Sequence, residues 1–244
     1  MRFPFRNIFK TDFIWISLLA LIAGIIAGAN YTPGTFLTGW DTLHPEFDFG
    51  LAFSRMLTGL WRQDQGLGAV AIQSHIAELP RVALLWLASL ALPINTLRYV
   101  TFLWSLAVGS SGVYFLTRHM VKDNKHTNNF PSFFAGIAYL ANLVTVQHFV
   151  VPLEMFAIHY TLVPWLFYAT TRILESGKKI WLLLFAIVTL LATPQAQTAT
   201  LFYAYAALLT LYLATYVILH RSTGKRVLVR AIIILGITVS INAF

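Results

Sequence analysis

The chain has 244 residues, of which 58% are hydrophobic and only 11% charged, with 19 Phe, 10 Tyr and 7 Trp, and its mean hydropathy is +0.70. A soluble core cannot absorb that much apolar surface, so the bilayer is the expected solvent and the expected fold class is an all-α polytopic integral membrane protein. The net charge of +8 does not point to nucleic acid, because the basic residues sit in short loops between apolar segments, where they set topology; the absence of cysteine excludes disulfides, thiolate metal sites and a cysteine nucleophile in this chain.

From the N-terminus, a basic flank leads into the apolar run 13–29, read as a retained anchor rather than a cleaved signal because many apolar segments follow it. Its Gly24-Ile25-Ile26-Ala27-Gly28 matches the small-residue pattern of close helix packing. A long connection, 30–96, comes next. In it Phe47, Leu51, Ser54, Leu57, Leu60 and Trp61 recur at helical spacing beside Arg55 and Arg62, which predicts a helix lying in the membrane interface with its apolar side down. The apolar stretch 82–92 would reach only ~17 Å as a helix, so it is expected to be re-entrant or interfacial. Further spans are expected at 97–117, 132–151, 155–171, 180–193, 198–219 and from 227 onward, which with the first makes seven. The chain is still apolar at Phe244, with no closing basic loop, and is therefore expected to be the N-terminal transmembrane module of a larger protein.

Basic residues orient this layout. With 82–92 left out of the spans, loops 1–12, 118–131, 172–179 and 220–230 share one side and hold 13 of the 17 Lys and Arg, while six of the nine acidic residues fall on the other. Counting 82–92 as a span would move ten basic residues outside, against the positive-inside rule. The expected localisation is thus a multi-pass cell-membrane protein with a cytoplasmic N-terminus and an external 30–96 loop. Long loops in compact folds are usually functional or disordered, and the amphipathic pattern argues for function.

That external loop carries Trp40-Asp41-Thr42-Leu43-His44-Pro45-Glu46-Phe47-Asp48, four ionisable groups in a chain where charge is scarce. Asp41 reads as a general base or metal ligand, since desolvation beside Trp40 and lipid would raise its basicity; the alternative is a solvated charge next to an interfacial tryptophan. His44, Glu46 and Asp48 with Asp41 would make a hard-metal site, since carboxylates suit Mg²⁺ or Mn²⁺ and imidazole the latter, with Asp41 and Asp48 the metal ligands retained, although no strict ligand motif is present. Pro45-Glu46 reads better as a helix start with its acidic first turn. Glu154, His148 and His159 stand at span ends, either as functional groups at membrane depth or as side chains reaching to water. Arg55, Arg62, Arg81 and Arg98 would bind a lipid-linked phosphate or merely contact headgroups. Helix breaks by Pro152, Pro164 and Pro194 gather toward the same side, as around a polar cavity opening outward. There is no P-loop, GxGxxG turn or HExxH.

Taken in order, a first span, a long outer loop with an early Asp, two further spans and a short outer turn with an acidic residue, the layout resembles the GT-C superfamily of membrane glycosyltransferases. The runs Gly59-Leu60-Trp61, Gly66-Leu67-Gly68, Leu79-Pro80-Arg81, Leu92-Pro93 and Leu97-Arg98-Tyr99 look like the outer loop of arabinofuranosyltransferases, and Thr193-Pro194-Gln195-Ala196-Gln197-Thr198-Ala199 is similar to a turn of YfhO-type bacterial membrane proteins. The resemblance implies a polyprenyl-phosphate-linked sugar donor and a glycan, lipid or protein acceptor. It further implies Asp41 as the catalytic base and Glu154 as the acidic position of the second outer loop, which helps at the metal or acceptor site, both therefore catalytic candidates; the residues read above as candidate substrate contacts are His44, Asp48, Arg55, Arg62, Arg81, His148 and His159. No Asp-x-Asp pair marks the outer loop, although Glu46-Phe47-Asp48 has Glu-x-Asp spacing. Two other readings stay open: a transporter or flippase of lipid-linked sugars, and a non-catalytic scaffold for envelope assembly. Ionisable groups are essentially missing from mid-span, which weighs against transport.

Overall fold

The computed structural model describes residues 5–39, 44–57, 61–62, 66–70, 76–121, 129–194, 199–220 and 224–243, with the side chains of 5–11, 62, 69–70 and 199 left out of the description. In chain order the α-helices are α1 (Phe5–Ala29), α2 (Phe49–Leu57), α3 (Leu79–Ser89), α4 (Ile94–Val121), α5 (Phe130–Leu140), α6 (Leu143–Val150), α7 (Glu154–Ser176), α8 (Lys179–Leu191), α9 (Ala199–Leu219) and α10 (Gly224–Ile241). Short 3-10 turns at Pro45–Phe47 and Ile76–Glu78 precede α2 and α3. A two-residue antiparallel pair, β1 (Trp61–Arg62) and β2 (Ala69–Val70), matches Trp61 to Val70 and Arg62 to Ala69.

Among the described residues four segments are long and apolar enough to cross a membrane: Asp12–Ala29, Ile94–Val121, Phe130–Val150 and Thr200–Leu219. Helices also occupy the other three expected spans, each with a physical difference. The 23-residue α7 carries Glu154, His159, several threonines and Arg172; α8 has only 13 residues; α10 carries Lys225, Arg226 and Arg230 in its first two turns. In the long connection the amphipathic helix is shorter than its spacing suggested. α2 is described to Leu57, Phe47 belongs to the preceding 3-10 turn, Trp61 is in β1, and Leu60 lies outside the described residues. Gly68 permits the return of this hairpin: its φ is +101°, and a Cβ there would lie 2.7 Å from the Trp61 ring.

The fold divides into two compact units. In the first, residues 1–39 and 98–168, α1 packs on α5. Its core consists of Leu19, Ala23, Leu106, Tyr114, Tyr139 and Leu140, ringed by aromatics such as Trp15, Phe133 and Tyr160. Close approach comes from Gly136 and Gly112, where a Cβ would meet Leu19 and the Trp165 indole at 2.7 Å. The Gly24 and Gly28 pair faces open space. Cross-helix hydrogen bonds replace part of the missing hydrophobic drive in lipid: Thr161 Oγ1 donates to Ser105 O at 3.1 Å and Trp165 Nε1 to Val108 O at 2.9 Å. Near the start of α1, buried Asp12 accepts from Tyr114 Oη at 2.6 Å and pairs with Arg118.

One expected span is broken. Between α5 and α6, Asn142 leaves the helix with extended backbone and caps α6, its Oδ1 accepting from Val144 N at 2.8 Å and Thr145 N at 3.2 Å. Its amide donates to Tyr139 O at 2.7 Å and to Tyr160 Oη, and Thr145 Oγ1 also donates to Tyr139 O at 2.8 Å. The backbone groups freed by the break thus find protein partners, the condition for irregular backbone at membrane depth.

The second unit is residues 40–97 and 169–244. Here α2, α3 and the two 3-10 turns pack together, with Phe53 edge-on to Trp86. Thr193 Oγ1 ties the end of α8 to Ala77 O at 2.9 Å, and Thr171 meets Tyr212 Oη at 2.7 Å. α10 packs on both α8 and α9. Gly177 closes α7 in the left-handed conformation, φ +62°, with its N–H on Ile173 O; a Cβ there would strike the Arg230 guanidinium, whose Nη1 donates to Leu174 O at 2.7 Å.

Candidate functional site

In the first unit Arg98, His148 and Glu154 lie where α4, α6 and α7 meet. Glu154 opens α7 and is 1% exposed; Arg98, in the second turn of α4, is 2% exposed. Arg98 Nε lies 3.4 Å from Glu154 Oε1, a buried ion pair. One turn on from Arg98, Phe102 packs its ring 5.5 Å from that of His148. His148 is buried, stands edge-on to Tyr160, and its Nε2 has no hydrogen-bond partner among the described residues. Tyr160 in turn stacks on Tyr139 with centroids 4.4 Å apart and takes the Asn142 amide. The result is a chain of contacts from the Arg98 and Glu154 charges, through aromatic rings, to the break between α5 and α6. His159 is also buried, but five residues past Glu154 it lies about 140° around α7 and so points away from it.

The groups predicted in the long connection belong to the second unit. His44 Nδ1 lies 3.1 Å from Glu46 Oε1, and Glu46 is buried in the first turn of the Pro45–Phe47 helix. The helix-start reading of Glu46 therefore holds for position but not for environment, since a solvated first-turn charge need not be buried. Asp48 is exposed and caps α2, its Oδ1 accepting from Leu51 N at 2.8 Å. Arg81 is buried against Glu78. Arg55 is half-buried in α2, and of Arg62 only the β1 backbone is described. Asp41 lies outside the described residues.

Burial changes what these residues can do. Arg81 and Arg98, read from sequence as free phosphate contacts, each have a buried carboxylate beside them. Among the described residues no three His, Asp or Glu side chains converge to hold a metal ion; Asp48 is engaged as a helix cap. Sequence reasoning missed Asn142, Tyr139 and Tyr160. The signal was present for the first of these, an asparagine three residues before Thr145 inside an apolar run, the pattern of an N-cap. No family model matches the sequence, and no curated protein or solved structure matches it.

Proposed function

We propose that the chain is the transmembrane module of a GT-C-type glycosyltransferase that transfers a sugar from a polyprenyl-phosphate donor to a cell-envelope glycan, lipid or protein acceptor on the external face. The observation that carries this reading is the buried Arg98 and Glu154 pair at the start of α7. Taking two charges out of water costs several kcal/mol per ion, and replacing such a pair by apolar side chains is often neutral or stabilising, so its presence at membrane depth argues for a role beyond stability. Glu154 also stands at the acidic position that the resemblance assigns to the second outer turn.

The chemistry rests on the proposed roles. Asp41 takes the proton of an acceptor hydroxyl, the oxygen attacks the anomeric carbon, and the bond to the polyprenyl phosphate breaks with the electron pair leaving on phosphate. One displacement inverts the sugar. Glu154, held by Arg98, fixes a polar group of the acceptor or donor. The accompanying topology has seven spans, the N-terminus cytoplasmic and 30–96 external. In support, α7 turns Glu154, His159, Thr161 and Thr170 inward, all buried, which allows a polar helix to cross.

Reconstituted protein supplied with a panel of polyprenyl-phosphate sugars and envelope acceptors should release free polyprenyl phosphate. Asp41→Asn is expected to slow that release by about 10²–10⁴-fold, the range for a lost general base; unchanged turnover would remove Asp41 from the mechanism. The helix break at Asn142 favours a second reading, transport of a lipid-linked sugar, because discontinuous helices recur at transporter binding sites. Movement of a labelled polyprenyl-phosphate sugar between leaflets with no transfer to acceptor would select it.

A further inference from the structure

We propose that Lys178, Lys179, Lys225 and Arg226 form a binding site for the headgroup of an anionic phospholipid, whose acyl chains run along the apolar faces of α8 and α10. The site lies wholly in the second unit and uses none of the residues assigned to sugar transfer.

Three observations converge on it. The first is placement. Lys178 caps α8 and Lys179 begins it, while Lys225 and Arg226 lie in the first turn of α10, and the two helices pack together. Arg230 fastens this end of α10 to the end of α7 through Leu174 O at 2.7 Å and Glu175 O at 3.3 Å, against Gly177 and so beside Lys178. Arg226 precedes Arg230 by four residues, on the same face and one turn nearer the helix end. Four cations are therefore brought to one end of α8 and α10.

The second is the lack of partners for these cations. Arg230 is consumed by its carbonyl contacts, and Arg172 lies 4.9 Å over the Trp181 ring. The other four are exposed, and among the described residues none of their side chains makes an ion pair or a hydrogen bond. Glu175 is the one carboxylate described near them. Among the described residues the positive charge at this end thus exceeds the one carboxylate near it.

The third is the apolar surface adjoining each cluster. Immediately beyond Lys179, α8 exposes Ile180, Leu183 and Ile187; beyond Arg226, α10 exposes Leu228, Val229 and Ile232. A soluble phosphate or an acidic peptide would match the cations and leave this apolar surface uncovered. An anionic phospholipid matches both zones at once, phosphate on the cations and hydrocarbon on the isoleucines and leucines.

The test is thermal unfolding of the purified chain in neutral detergent with added phosphatidylglycerol, phosphatidylcholine or inorganic phosphate. Phosphatidylglycerol is expected to raise the Tm, and the others not. In Lys178→Gln/Lys179→Gln/Lys225→Gln/Arg226→Gln the concentration of phosphatidylglycerol for half the effect should rise on the order of 1000-fold. Lys178→Gln/Arg226→Gln, which leaves two cations in place, should raise it by roughly 30-fold and serves if the fourfold variant does not fold. Equal stabilisation by phosphatidylcholine, an equal effect of inorganic phosphate, or an unaltered response of the variants would each overturn the proposal.

Discussion

Arg98 and Glu154 are the residues on which stability and function are most tightly joined. Glu154→Gln or Arg98→Gln leaves one buried charge without its opposite, which is expected to cost about 3–5 kcal/mol and to lower the Tm in detergent. Arg98→Met/Glu154→Leu should cost less than the sum of the two single changes, because neither charge remains to be compensated. Additive losses would show that the two side chains act separately. Asn142 is the second such residue: its amide and carbonyl each serve more than one group. Asn142→Ala is expected to destabilise by about 1–2 kcal/mol, read as a lowered Tm, as for the loss of a strong N-cap. Both sites are polar points in apolar sequence. Arg98 and Glu154 were visible there as charges near span ends, but 56 positions separate them in the chain, and nothing local predicts that they pair.

At the level of elements, glycine placement separates packed helix faces from open ones. The GxxxG pattern of α1 is the conspicuous one in the sequence, yet the close contacts of the first unit are at Gly109, Gly112 and Gly136. Gly112→Ala should therefore lower the Tm by the roughly 1–3 kcal/mol typical of overpacking, because its Cβ would press on the Trp165 indole. Gly24→Ala/Gly28→Ala should leave the Tm unchanged or raise it, since alanine favours helix by about 1 kcal/mol per site and nothing lies within 4 Å. A marked fall in Tm for that pair would mean that α1 holds a partner helix. Elements were legible where a long run had to be apolar on every face, as in α1, α4 and α9. They were less legible where a single side chain ends a helix, as Asn142 does inside one continuous hydrophobic run.

For the whole molecule the testable statement is topology. Because the chain has no cysteine, single cysteines can be introduced on a clean background and labelled with a membrane-impermeant maleimide. Under the seven-span layout Gly66→Cys and Leu67→Cys label from outside intact cells, whereas Ser176→Cys and Ser222→Cys label only after permeabilisation. External labelling at Ser222 would mean that the number of spans before it is odd, and the proposed placement of α7, α8 or α9 would fall.

Composition alone settled the coarse class, since a chain with 58% hydrophobic residues and four long apolar segments has no soluble way to bury them. Periodicity and punctuation placed most helices, because they depend on neighbours within a turn or two. What only the tertiary structure decided is which charges are buried and beside which partners: Glu46 with His44, Glu78 with Arg81, Glu154 with Arg98, and Asp12 with Arg118. A carboxylate on a solvated loop and one sealed against an arginine have the same letter in the sequence. Their difference is created by packing between elements, which for Glu154 with Arg98 and Asp12 with Arg118 also brings the partner from a distant part of the chain, and it is in that difference that the candidate site resides.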